Sequence, residues 1–217
     1  EMLLALGHFA PIRDLLLRVM RAQTPDGDWP QWFMFFDRER DIRAGDSHGD
    51  IVFWPLLALS QYLIASGDSS ILDEPVPFFT SGHALPAVSV WKHVERALKV
   101  IERRVVAGTA LAAYGHGDWN DALQPADPAM RERMCSSWTV TLHHQVLMTL
   151  AQALRNIGRE PEALRFESWA ENVKRDFQHV LLVDGVLAGY ALFEDKGKEQ
   201  NVGSGIGVVH NALLLDG

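Results

Sequence analysis

The sequence predicts an all-α domain of antiparallel helices, with no more than a short β-hairpin near residues 180–193. Three observations carry this. Apolar residues recur at helical spacing in five long segments. Turn-forming clusters such as Thr24-Pro25-Asp26-Gly27-Asp28 and Ser66-Gly67-Asp68 separate those segments. With 47% apolar and 22% charged residues, the composition is that of a globular protein, and 217 residues suffice for one large domain. No internal boundary is marked, so residues 1–217 are read as a single unit.

The first helix spans Pro11 to Gln23, with Ile12, Leu15, Leu16, Val19 and Met20 on one face and Arg13, Arg18 and Arg21 between them. A long connection, Trp29 to Gly49, follows. It concentrates Trp29, Trp32, Phe33, Phe35 and Phe36 ahead of the charged run Asp37 to Asp41, which suits either a packed functional loop or a cover over the core. Asp50 to Ala65 forms the second helix, apolar nearly all round and therefore deeply buried. Ser69 to Pro86 is irregular, with Pro75, Pro77, Gly82 and Pro86 marking turns. The third helix covers Ala87 to Val105, with Val94, Leu98 and Ile101 inside and Lys92, Glu95 and Lys99 outside. A fourth runs from Met134 to Ile157 and stops at Gly158, and a fifth from Pro161 to His179. Residues 180–187 read as two short strands around Asp184-Gly185. No element is assigned from Glu194 onward.

Consecutive antiparallel helices place their connections alternately at opposite ends of a bundle. The loops after the first helix (24–49) and after the third (106–133) should therefore meet at one end. Those two loops hold most of the aromatic, acidic and basic side chains that could do chemistry.

Several classes are disfavoured. A net charge of −8 argues against nucleic-acid or anionic-membrane partners, while leaving room for an anion in a local basic pocket. The lone cysteine, Cys135, excludes an internal disulfide framework, fits a reducing cytoplasmic compartment, and reads as a small buried apolar residue. No apolar run spans a bilayer, and the apolar start lacks the basic segment of a signal peptide. Both ends break off in mid-pattern, as expected of a piece of a longer protein. His48/Asp50 and His116/Asp118 share an i, i+2 spacing, but without a cysteine it does not specify a metal site, and no metal or organic cofactor is expected. Ser136-Ser137 has no nucleophile-elbow setting, one ring of His143-His144 should face the core, and no phosphate-cradling glycine loop precedes a helix.

The densest chemistry lies in Tyr114-Gly115-His116-Gly117-Asp118-Trp119-Asn120-Asp121. Such a composition suits neither helix nor strand. An indole can cover the C–H face of a pyranose while carboxylates take its hydroxyls. The alternative is a tight loop whose acids cap the next helix and whose Trp is core. Carboxylates on facing loops suit cleavage of a glycosidic bond, which needs a proton donor at the leaving oxygen. A second carboxylate can then activate water. Inorganic phosphate instead arrives as an oxyanion and needs no general base. The residues alone leave both routes open.

Gly117-Asp118-Trp119-Asn120-Asp121 resembles a motif of glycoside hydrolase family 94, the cellobiose phosphorylase-like inverting phosphorylases. Arg43 to Asp50, running into Ile51-Val52-Phe53-Trp54-Pro55, is similar to a second family block, and Ser66 to Phe78 to a third. The wording at residues 27–32 and 116–118 is closest to the branch acting on β-1,2-linked glucans. The resemblance covers roughly residues 20–190 and implies part of an (α/α)6 barrel, about half of it, preceded in the family by a β-sandwich. It implies phosphorolysis of β-linked gluco-oligosaccharides to α-glucose 1-phosphate, with inorganic phosphate as co-substrate, and a homodimer in the full-length protein. Asp121 is implied as general acid, Trp119 as wall of the sugar subsite, and Arg43 and Asp50 as holders of sugar hydroxyls. Asp118, also counted with the substrate-binding residues, would help keep a proton on Asp121. Two departures stand out. Gly49-Asp50 replaces two adjacent acids, and Arg43 lies one residue upstream of the expected place. An inverting hydrolase or transferase on the same barrel, and a non-catalytic carbohydrate-binding remnant, are the other readings.

Overall fold

A computed structural model describes residues 2–82, 85–120, 124–125, 127–193 and 199–202. Among them six α-helices form the scaffold. The single turn α1 (Met2–Ala5) packs on α2 (Phe9–Arg21), which buries Leu16 and Met20. Proline in the first turn sacrifices no helical hydrogen bond, so α2 begins two residues before Pro11. The long connection that follows carries a small antiparallel hairpin, β1 (Trp32–Phe33) with β2 (Arg43–Ala44).

The helix α3 (Phe53–Ser66) buries eight of its side chains, as its all-round apolar sequence predicts. It starts three residues later than expected. Residues 48–54 form tight turns in which the Ile51 amide bonds the His48 carbonyl and the Phe53 amide bonds that of Asp50. Gly67 ends the helix in the left-handed conformation, φ 69°. The short strand β3 (Pro75–Val76), inside the stretch expected to be irregular, pairs with β4 (Val88–Ser89), which replaces the expected first turn of the third helix. Ser89 then caps α4 (Val90–Arg103), its hydroxyl accepting from the Lys92 amide.

A second segment departs from the helical expectation in the same way. Met134–Ser136, read as the first turn of a helix, is the strand β5; its residues pair with Leu192, Ala191 and Tyr190. The apolar run continues unbroken from strand into helix, so periodicity could not separate them. Ser136 marks the junction by capping α5 (Ser137–Asn156) through the Thr139 amide. A long α6 (Glu160–Val180) follows, and α5 lies between α3 and α6. The hairpin β6 (Leu182–Val183) and β7 (Val186–Leu187) turns through Asp184 and Gly185, both at positive φ, as Asp-Gly predicts. Beyond it, β8 (Tyr190–Phe193) and β9 (Glu199–Val202) complete a three-stranded sheet ordered β5-β8-β9. The helical expectation therefore holds for the scaffold, and the described residues hold more short antiparallel sheet than the sequence predicts. Among the described residues the main hydrophobic core runs from Leu16 to Ala191, and a small second cluster holds Tyr114, Met130 and Met134.

Cys135 is fully buried in β5. Of the two neighbouring histidines, His143 is the one in the core, between Phe53 and Trp169. No helix among the described residues is long and apolar enough to cross a membrane.

Candidate active site

The two loops expected to meet do so. The Gly49 amide donates to the Gly117 carbonyl at 2.8 Å, and His48 bridges Gly115 in antiparallel fashion. His48 Nδ1 lies 3.2 Å from the Asp118 carbonyl, to which it must donate. The approach is close enough to dictate residue type. A Cβ on Gly49 would stand 2.5 Å from the Tyr114 carbonyl oxygen. This explains the first departure from the family pattern: an acid at position 49 would not fit this packing. Gly117 adopts φ 139°, which side-chain-bearing residues rarely take. On the far side of this contact, the buried Asp28 accepts from the Trp29 amide at 2.8 Å, from Ser47 Oγ at 2.8 Å and from Arg104. It thereby fastens the first loop to the end of α4.

Each loop brings a buried carboxylate to the junction. Asp118 is 1% exposed, and its carboxylate accepts from Ser136 Oγ at 2.7 Å, Thr139 Oγ1 at 3.4 Å and the Asn120 amide at 3.2 Å. Asp50 is 4% exposed; Oδ2 accepts from Trp54 Nε1 at 3.0 Å, while Oδ1 has no hydrogen-bond partner among the described residues. Burial pushes both carboxyls above the usual range, and the Asp118 charge raises Asp50 further. The same field, added to burial, lifts Tyr190 to about 12.

Tryptophans cover this region. Trp119, 62% exposed, lies 6.3 Å from Trp138, and Trp138 lies 5.9 Å from Trp54. The result is a partly exposed indole row whose end member opposite Trp119, the 44% exposed Trp54, bonds Asp50. Indole faces beside a carboxylate oxygen with spare acceptor capacity suit the apolar and hydroxyl faces of a sugar.

The candidate residues are not all gathered together. Asp50, Asp118 and Trp119 converge. Arg43 turns elsewhere, its guanidinium stacking on Phe79 at 3.7 Å and donating to the Ala22 carbonyl. Asp121 lies outside the described residues. Sequence reasoning missed Asp28, Ser47, Ser136, Thr139 and Trp138. Ser136 had a legible signal as the cap ahead of a long apolar helix. The others act only through contacts distant in sequence. Among the described residues no cluster of three or more His, Cys, Asp or Glu could hold a metal ion.

The sequence of this chain has relatives among known proteins. The profile of the glycosyl hydrolase 94 superfamily catalytic domain matches residues 7–205, and the chain belongs to that family. Of individual relatives, it is 41% identical over 207 residues to a 1,2-beta-oligoglucan phosphorylase of Listeria innocua, a match covering 91% of this chain and 18% of the relative. It is 24% identical over 138 residues to an N,N'-diacetylchitobiose phosphorylase of Vibrio proteolyticus, covering 64% of this chain and 16% of the relative. The chain thus spans less than a fifth of the length of the relatives it matches.

Proposed function

We propose that this chain is the acid-bearing segment of an inverting phosphorylase acting on β-linked gluco-oligosaccharides, β-1,2-glucans foremost. The observation that carries the reading is the exposed Trp119 on a loop locked against a second loop, with the buried carboxylates Asp50 and Asp118 beneath. In this reading Trp119 walls the sugar subsite, and the half-partnered Asp50 accepts hydroxyls of the transferred glucosyl unit. Asp121, two residues beyond Trp119, protonates the leaving oxygen, and inorganic phosphate attacks the anomeric carbon from the opposite face. The product is α-glucose 1-phosphate. Asp118 is spent internally on Ser136 and Thr139, so its part is to fix the loop that carries Trp119 and Asp121. The helices would belong to an (α/α)6 barrel completed by the longer protein. The identity to the Listeria phosphorylase favours the β-1,2 linkage.

The test is product analysis with the full-length protein on β-1,2-gluco-oligosaccharides, with and without phosphate, using Asp121→Asn as control. Phosphate-dependent glucose 1-phosphate that disappears in the variant supports the reading. Free glucose formed without phosphate would move it to a hydrolase.

A further inference from the structure

The contact between the two loops has a second side. Behind Gly49 and Gly115 lies an open cavity of about 550 Å³ whose lining includes Arg103, Arg104, Arg131, Arg133, His116 and Glu132. Four guanidiniums against one carboxylate in a chain of net charge −8 is a strong local reversal of sign. The cations are incompletely used. Arg131 makes no side-chain hydrogen bond or ion pair among the described residues, and its Nε is buried without a partner. Arg104 spends one nitrogen on Asp28 and leaves Nη1 buried and unpartnered. Arg103 offers a single donor to the Asp26 carbonyl at 3.3 Å. Buried donors without acceptors are costly, and a fork of guanidiniums is the usual answer to a phosphoryl group.

His116 reports on the same field. It stands 3.3 Å from the exposed Asp46 carboxylate, yet burial, with Arg131 and Arg104 adding to it, pushes its pKa down. The positive charge of the cavity therefore comes from the arginines, with the neutral imidazole available as a hydrogen-bond partner.

We infer that this cavity, whose lining does not include Asp50, Asp118 or Trp119, is an anion site for a phosphate-type dianion, held by Arg131, Arg103 and Arg104. Its volume falls within the range of small-molecule sites and exceeds what inorganic phosphate needs, so the phosphoryl group of a hexose phosphate fits as well. The cavity wall includes Ser47, Gly49 and Gly115, backbone neighbours of the carboxylate-bearing turns. An occupant would thus bear on the loops that carry Asp50 and Asp118. The inference does not depend on turnover.

Equilibrium dialysis of the full-length protein against radiolabelled inorganic phosphate tests it, with competition by glucose 1-phosphate. The wild type should bind one more phosphate per chain than Arg131→Gln. Arg103→Gln, a change at an exposed position, should weaken the same class of site by about tenfold. Arg131→Lys should restore part of the binding, which a purely structural arginine would not. Displacement by glucose 1-phosphate at lower concentration than by unlabelled phosphate would identify a hexose phosphate as occupant, and the reverse order inorganic phosphate. Equal stoichiometry and affinity in the wild type and in both glutamine variants, each confirmed folded by circular dichroism, would overturn the inference. Loss of activity in Asp121→Asn leaves this count unchanged, so failure here and failure of the phosphorylase reading are separable.

Discussion

Asp50 and Asp118 stand on two loops that meet at the Gly49–Gly117 contact, and both are buried, yet they are treated differently. Asp118 has its acceptors filled by two hydroxyls and an amide. Asp50 has one indole donor and a bare oxygen. The second loop is thus fastened by its carboxylate, whereas the first is fastened elsewhere, through Asp28 to Arg104, and leaves one Asp50 oxygen without a partner among the described residues. A fully satisfied buried acid is a structural tie, and a half-satisfied one is the group a ligand can complete.

Breaking the junction itself should have the largest effect. Gly49→Ala sets a methyl 2.5 Å from a backbone oxygen, so the loops must part. Thermal or denaturant unfolding should show a loss of roughly 3 kcal/mol or more. Next comes Asp118→Ala, which strands Ser136 and Thr139 in the core and should cost about 2 kcal/mol. Asp50→Asn, by contrast, should change stability at neutral pH by less than about 1 kcal/mol while weakening sugar binding.

Acidity sharpens the same contrast. A carboxyl whose pKa is raised by folding keeps its proton longer in the folded state, so its contribution is most favourable at low pH and is lost as pH rises from the ordinary value of 3.8 through the raised one. Asp50→Asn should flatten that decline in a stability–pH profile. His143 has the opposite slope. Buried with both ring nitrogens unpartnered among the described residues, its pKa is pushed from 6.5 down to about 3, so stability falls as pH drops across that window. His143→Leu should remove the acid-side loss and leave the Asp50 slope in place. The smallest stability change, within about 0.5 kcal/mol, is expected for Trp119→Ala, because that indole is 62% exposed.

The parity of antiparallel helices was enough to bring the two loops together from sequence, and the Asp-Gly turn at 184–185 and the glycine stop at 67 were equally legible, because each depends on a local rule. The strand at 134–136 was not, since only its distant partner at 190–192 makes it a strand. The site divides in the same way. Trp119 and the acids were conspicuous in composition, while the division of labour between Asp50 and Asp118 rests on Ser136 and Thr139, whose hydroxyls lie 18 and 21 residues from the acid they serve. Arg43 was placed by motif, and its stacking on Phe79 could not be foreseen from spacing.

In the proposed function the first and second loops act as one sugar site. A double-mutant cycle measures this most directly, using the affinity of the full-length protein for a β-1,2-gluco-oligosaccharide in the wild type, Asp50→Asn, Trp119→Ala and the double variant. A shared site predicts a coupling energy of at least about 0.5 kcal/mol between the two positions. Strictly additive losses, or no loss at either position, would contradict it.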